Sequence, residues 1–262
     1  MKKIELEGWA VILGASSGFG GATAKELASC GLNICGVHLD RKATQPLADE
    51  VAEAVKAAGR EALFFNINAS DEAKRGEVIA ALKQKNARVT TYLHSLAFGT
   101  LKPYIGDKPE ETISKMNMEM TLDVMGHSLV YWAQDLVRAG LLVRGGRIFA
   151  MTSEGDVRAW KTYGAVSAAK TALEAHIRQL AVELAPLGVT ANAIRAGVTD
   201  TAALRKIPGS DKMVEDAKKR NPAGRMTTPG DVAQAIALLS RPEASWITGN
   251  VIGVDGGEFV SA

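Results

Sequence analysis

Tyr163 and Lys170 stand seven positions apart in the stretch Tyr163-Gly-Ala-Val-Ser-Ala-Ala-Lys170. At about 3.6 residues per turn, seven steps make nearly two full circles, so on a helix the two side chains share one face. A phenol beside an ammonium suits redox chemistry at a carbonyl. The cation lowers the phenol's pKa and can grip a ribose, while the phenol donates a hydrogen bond or a proton to the substrate oxygen. Taken alone, the pair fits an amphipathic helix with a chance tyrosine and lysine equally well. The elements around it have to decide.

Those elements alternate. Trp9-Ala10-Val11-Ile12-Leu13, closed by Gly14, predicts a buried parallel strand, and a helix follows from about Gly18 to Cys30. Further strands are expected at 33–38, 63–67, 89–94, 147–151, 189–194 and 251–254. Helices are expected at 47–58 and 72–85, in two stretches within 110–139, and from Thr162 to Ala185, where Pro186 stops the run. Thr228-Pro229 opens a last helix after a mixed segment from Thr201 to Arg225. The order predicts one α/β domain, a Rossmann-like doubly wound parallel sheet of about seven strands with helices on both faces. Its ligand is expected outside the carboxyl ends of the strands.

Composition narrows the function. The 262 residues, 47% of them apolar, can bury a large core. Lys+Arg 31 against Asp+Glu 29 gives no pointer to nucleic acid or to a charged membrane surface. Acids interrupt the apolar residues of Met1-Lys2-Lys3-Ile4-Glu5-Leu6-Glu7-Gly8, so no signal-peptide core is expected, and no apolar run is long enough for a bilayer. Cys30 and Cys35 read as buried thiols, with no disulfide and no metal site. Together these predict a soluble, cytoplasmic protein.

Gly14-Ala15-Ser16-Ser17-Gly18-Phe19-Gly20 joins the first strand to the first helix. Glycines let the backbone approach a pyrophosphate, and the helix amino terminus offers it free N–H groups and a positive dipole. Between a strand and a helix, this loop predicts dinucleotide binding. Its G-x-x-x-G-x-G spacing, with Tyr163 and Lys170, resembles the short-chain dehydrogenase/reductase family. The resemblance covers essentially the whole chain, through Asp255-Gly256-Gly257.

Ordinary members of that family carry Tyr-x-x-x-Lys, and Asn-Asn-Ala-Gly after the fourth strand. Here six residues separate Tyr163 from Lys170, and the fourth strand runs into His94-Ser95-Leu96-Ala97-Phe98. Both departures resemble the divergent branch of bacterial enoyl-acyl-carrier-protein reductases. Asn192-Ala-Ile-Arg-Ala-Gly197 and Asn221-Pro-Ala-Gly-Arg-Met226 look most like its NADPH-using FabL type. The resemblance implies NADPH-dependent reduction of the carbon–carbon double bond of trans-2-enoyl thioesters in fatty acid synthesis. Hydride would reach the β-carbon while Tyr163 stabilises the charge that develops on the thioester oxygen. Moving the tyrosine one turn along the helix, about 5.4 Å, changes which substrate atom it reaches. A ketone or 3-oxoacyl-thioester reductase would be expected to carry Tyr-x-x-x-Lys. A degenerate dinucleotide-binding sensor would need neither Tyr163 nor Lys170. Both stand as alternatives.

The resemblance also assigns residues. Tyr163, Lys170 and Ser153 are the catalytic candidates, and Ser153 reads either as a substrate-facing donor or as a loop cap. The cofactor is expected on Gly14, Ser16, Ser17, Gly18, Phe19 and Gly20, beside Asn68 and Ala69 at the adenine, on Ser95, Leu96, Ala97 and Lys170, and on Gly197, Val198 and Thr201. NADPH is favoured over NADH because His38 lies where NAD-using relatives place an acid, while Arg41 and Lys42 can hold a 2′-phosphate. Asp40 opposes that reading by charge.

Other residues carry two readings each. His94 is expected to shape a turn through its backbone rather than to act as a catalytic imidazole. Asp123, at the place of a relay asparagine, is either a relay member or a solvated helix residue. Met116, Met118 and Met120 either pack their helix or line an acyl groove. The stripes Leu122, Met125, Leu129, Trp132, Leu136 and Val166, Leu173, Ile177, Leu180, Leu184 lie on helices that build a subunit interface in the family, which implies a homotetramer. They could equally face only their own sheet.

The segment from about Ala202 to Arg220 reads as a substrate lid hinged at Pro208-Gly209-Ser210. From Arg205 to Arg225 there are seven bases against three acids, an excess of four where the whole chain has +2. This predicts transient docking of an acidic acyl carrier protein.

Overall fold

The computed structural model describes residues 4–261; Met1, Lys2 and Lys3, where the signal-peptide reading begins, lie outside the described residues. Strand β1 (Trp9–Leu13) pairs in parallel with β2 (Asn33–His38) on one side and β4 (Val89–His94) on the other. With β3 (Ala62–Asn66), β5 (Leu142–Thr152), β6 (Thr190–Ala196) and β7 (Val251–Val254), the sheet runs β3-β2-β1-β4-β5-β6-β7, parallel throughout. The chain leaves β1 toward one edge and returns at β4 toward the other. A crevice therefore opens between the carboxyl ends of β1 and β4, at Gly14 and Ser95.

Both faces of the sheet are covered. Ala10 and Ile12 of β1 pack with Leu93 and Phe149 beneath α1 (Gly18–Ser29), α2 (Gln45–Ala57) and α8 (Pro229–Leu239). Trp9, Val11 and Leu13 face the other way, with Tyr92 and Ile148, toward α3 (Glu72–Gln84), α5 (Ser128–Arg138) and α6 (Gly164–Leu184). Apolar side chains are needed at every position of such a strand, which explains the uninterrupted run. Cys30 and Cys35 are both buried, and burial pushes the Cys35 thiol up to about 12. No helix among the described residues is long and apolar enough to cross a membrane.

Several boundaries differ from the sequence reading, four of them with an identifiable cause. Strand β5 starts five residues before the expected 147, because the strand continues through a bulge at Gly145-Gly146. The register to β4 shifts between Val89 and Thr91, and Gly145 has φ +85°. Glu110 belongs to a short 3₁₀ turn, and the helical run begins only with α4 (Lys115–Leu122). A π-turn over Asp123–His127 links α4 to α5. Helix α6 starts at Gly164, since Thr162 has the left-handed φ of +73° and Tyr163 takes the N-cap position. Both apolar stripes pack on this chain's own core: Met125, Leu129, Trp132 and Leu136, like Val166, Leu173, Ile177, Leu180 and Leu184, are buried there, and Leu122 is partly buried against it. They are thus not exposed to a second subunit, which removes them as an argument for assembly.

Candidate active site

The phosphate loop is shaped by backbone against backbone. A Cβ on Gly14 would overlap the Ser95 carbonyl oxygen, and one on Gly20 would overlap the Gly14 carbonyl oxygen. Gly14 and Gly18 have φ of +83° and +54°. Ser17 is extended at the N-cap of α1 and makes no side-chain cap bond, so the first N–H groups of the helix stay available to an anion. Thr201 lies across from Gly18, near enough that a Cβ there would touch its methyl at 3.8 Å. A glycine cradle at a helix amino terminus, beneath a threonine, fits a pyrophosphate.

Asp40, just past β2, turns inward. His38 Nδ1 lies 2.8 Å from its Oδ2. Burial pushes the Asp40 carboxyl up, but bonds from Thr44, Ser16 and His38 outweigh it and hold the group below the usual range. Asn66, at the end of β3, binds this turn from both sides, accepting the Asp40 N–H and donating to the Asp40 carbonyl at 2.9 Å each. Arg41 and Lys42 are exposed. Beyond β3, the Ala69 carbonyl accepts Trp132 Nε1 at 2.8 Å and Asn68 Oδ1 accepts the Ser70 N–H, which fixes the bend expected at the adenine.

Past the ends of β4 and β5 the catalytic candidates meet. Ser153 Oγ stands 3.2 Å from Tyr163 Oη and accepts the Gly155 N–H at 3.1 Å. Gly155 sits against the tyrosine ring, where a Cβ would overlap Cε1. Burial raises the phenol; the Ser153 hydrogen bond offsets part of this, and the Asp156 charge adds to it. The phenol therefore stays protonated and can donate near neutrality. The expectation that Lys170 lowers the phenol is not met: burial dominates and the net shift is upward.

Lys170 is only 5% exposed. Its Nζ donates to the Met151 carbonyl at 2.7 Å and the Leu96 carbonyl at 3.4 Å, and burial lowers the ammonium to about 8. The lysine thus ties β5 to the loop after β4, in the wall of the cavity that the phenol also lines. Tyr163, Ser153 and Lys170 all line one cavity of about 210 Å³. Its walls include Leu96, Gly99 and Met125 and, from the 202–220 segment, Leu204, Ile207 and Met213. Phe19, Ser95, Ala97, Gly197, Val198 and Thr201 line it too.

Three candidates fall elsewhere. His94 is fully buried; its Nε2 lies 2.8 Å from Ser128 Oγ, which donates to the Val124 carbonyl. Burial first, then the Lys170 charge, lowers it to about 3, so it stays neutral and pins β4 to the π-turn. Asp123 accepts Tyr131 Oη at 2.9 Å and does not line the cavity. That leaves it outside a relay. Met116 is exposed, and it is Met125 that reaches the cavity.

The sequence reading missed an ion cluster. Arg220, at the end of α7 (Ser210–Arg220), donates to Glu258 Oε1 at 2.8 Å and Glu154 Oε2 at 3.1 Å. Glu258 is 1% exposed, and its other oxygen accepts the Val198 N–H at 3.1 Å. The end of α7, the turn after β5 and the loop after β6 are thus joined through one guanidinium. Arg220 was expected among the docking bases, but these two acids hold it inside. Among the described residues no group of three or more His, Cys, Asp or Glu side chains could hold a metal ion.

The parallel sheet, the glycine cradle and the Ser153–Tyr163–Lys170 cluster define an oxidoreductase of the short-chain dehydrogenase/reductase superfamily. Within it, the chain belongs to the enoyl-(acyl carrier protein) reductase family, which matches residues 14–258 and whose members bind a nicotinamide dinucleotide. The chain is 31% identical over 256 residues to the 1-cyclohexenylcarbonyl-CoA reductase of Streptomyces collinus, covering 96% of this chain and 87% of the relative. It is 29% identical to the enoyl-[acyl-carrier-protein] reductase [NADH] FabI of Nostoc sp., over 89% of this chain and 88% of that one. The crystal structure of enoyl-[acyl-carrier-protein] reductase (NADH) from Aquifex aeolicus superposes with a TM-score of 0.85 at 25% identity, covering 99% and 98% of the two chains.

Proposed function

We propose that the protein reduces the carbon–carbon double bond of trans-2-enoyl thioesters, as carried by acyl carrier protein in fatty acid synthesis. The observation that carries this is the protonated Tyr163 hydroxyl, 3.2 Å from Ser153 Oγ, over an apolar cavity. A bound nicotinamide would supply hydride to the β-carbon. Tyr163 donates a hydrogen bond to the thioester oxygen as negative charge builds there, and Ser153 orients the phenol or adds a second donor. Lys170 holds positive potential under the nicotinamide ribose. The 202–220 segment acts as a lid whose hinge, Gly209, has φ +82°. The sequence readings of a cytoplasmic homotetramer stay part of this proposal; exposed Trp246, Ile247, Leu238 and Val182 offer surface for assembly.

For the cofactor, exposed Arg41 and Lys42 support NADPH. A specific observation favours the second reading, NADH: an ionised Asp40 beside Ser16 repels a 2′-phosphate and can accept ribose hydroxyls. The test pairs crotonyl and acetoacetyl thioesters with each cofactor. Enoyl reduction with NADPH, its efficiency falling about tenfold or more in Arg41→Ala, is the expected result. Reduction of the acetoacetyl substrate alone would overturn the enoyl reading. Equal use of both cofactors, unchanged in Arg41→Ala, would overturn NADPH.

Carrier docking is proposed on Lys212, Lys218 and Lys219, exposed along α7. Reversing these three to glutamate is expected to lower efficiency with carrier-linked substrate at low salt by about tenfold, and to leave a small thioester nearly unaffected. Equal losses on both substrates would refute docking.

A further inference from the structure

The phosphate loop rests on the end of β2. The Val37 carbonyl accepts the Gly14 N–H at 2.8 Å and the Ala15 N–H at 3.1 Å. A dinucleotide held on that loop brings its adenosine ribose over the residues just past Val37. These are His38, which ends the strand, and residues 39–42. Their charges suit opposite ligands. A carboxylate accepts the hydroxyls of an unphosphorylated ribose and repels a 2′-phosphate, which Arg41 and Lys42 attract.

The two signs of charge are placed differently. Arg41 and Lys42 are exposed, whereas the Asp40 side chain is 11% exposed and its Oδ2 lies 2.8 Å from His38 Nδ1. An ionised carboxylate has no proton to give, so Nδ1 is the donor. His38 is itself fixed. Its side chain is 2% exposed, its ring lies against Phe64 with centroids 6.2 Å apart, and its carbonyl accepts the Ile67 N–H at 2.8 Å. Asn66 separately holds the Asp40 main chain by its N–H and its carbonyl, and donates to Gln45 Oε1 at 2.9 Å. With the backbone clamped, the carboxylate reaches an open ribose site only by leaving the imidazole.

We propose that His38 is a positioning residue for cofactor choice: it ties the Asp40 carboxylate to the end of β2 and leaves the 2′ side of the ribose to Arg41 and Lys42. This rests on the dinucleotide reading of the site, deepens its NADPH form and does not depend on the acyl substrate. His38 acts through Asp40 and needs no contact with the cofactor. Discrimination comes from withholding a repulsive charge, alongside the attraction of the two cations. The NADH reading needs the same carboxylate released.

The test is the affinity for NADPH and for NADH, read by nicotinamide fluorescence with no acyl substrate present. The ratio of the two affinities is compared, because a partly unfolded sample weakens both alike. His38→Leu removes the donor and keeps an apolar side chain against Phe64. It is expected to move the ratio toward NADH by about tenfold, since a freed like charge opposes the phosphate. Adding Asp40→Asn should return the ratio to within about threefold of wild type, because no charge is left to free. His38→Asn keeps an N–H donor near the place of Nδ1 and should also stay within about threefold. A ratio unmoved in His38→Leu overturns the proposal, as does a double variant no different from His38→Leu. A shift toward NADPH in His38→Leu overturns it too, for the imidazole would then be aiming Asp40 at the ribose. Wild type that prefers NADH would sink the NADPH reading on its own, and the direction of the shift in His38→Leu would still decide the role of His38.

Discussion

Replacing Tyr163 with phenylalanine is expected to lower turnover of an enoyl thioester by about a hundred- to a thousandfold, the cost of removing one donor to a developing oxyanion. Cofactor affinity should hardly change, because the ring remains packed on Gly155 and only the hydroxyl is lost. Lys170→Ala should lose turnover as well as cofactor affinity. It removes a buried cation and also leaves the Met151 and Leu96 carbonyls without their donor. Stopped-flow turnover and a fluorescence titration of the cofactor separate the two variants. Wild-type turnover in Tyr163→Phe would remove the phenol from the chemistry.

Arg220→Ala should be the most damaging change far from the reacting atoms. Glu258 would be left 1% exposed and charged, without its guanidinium. Breaking a buried pair from one side costs about 3–5 kcal/mol. Burial already raises the Glu258 carboxyl, and loss of Arg220 raises it further. For an acid whose folded value lies above its unfolded one, the folded state is favoured at low pH. The loss should therefore shrink as the solution is acidified, and adding Glu258→Gln should recover most of it. Urea midpoints at about pH 5 and 8 give the comparison. A loss independent of pH would mean that packing, not charge, is what Arg220 provides.

The parts of the site that lie close in sequence were legible from it. An apolar run ending in glycine identified β1, and glycine spacing placed the phosphate loop at the head of α1. Tyr163 and Lys170 kept their relation although Tyr163 stands just outside α6, since its backbone is already close to helical. What stayed hidden depends on distant partners. Arg220 and Glu258 are 38 residues apart, and in sequence the arginine looks like one more base on a charged helix. The first half of β5 was lost because Gly145-Gly146 has the composition of a turn, and only pairing to β4 shows it to be a bulge.

The meeting of Gly14 with Ser95, and of Gly20 with Gly14, has no side chain on either side of the contact. Natural variation can therefore tune this half of the crevice only by moving whole loops, which would disturb phosphate and nicotinamide ends together. The cavity beside it is lined by side chains: Leu204, Ile207 and Met213 can each change size one at a time. Descendants of this chain can drift toward new acyl groups residue by residue while the dinucleotide end stays as inherited. A library confined to those three positions would sample substrate shape at little risk to the fold.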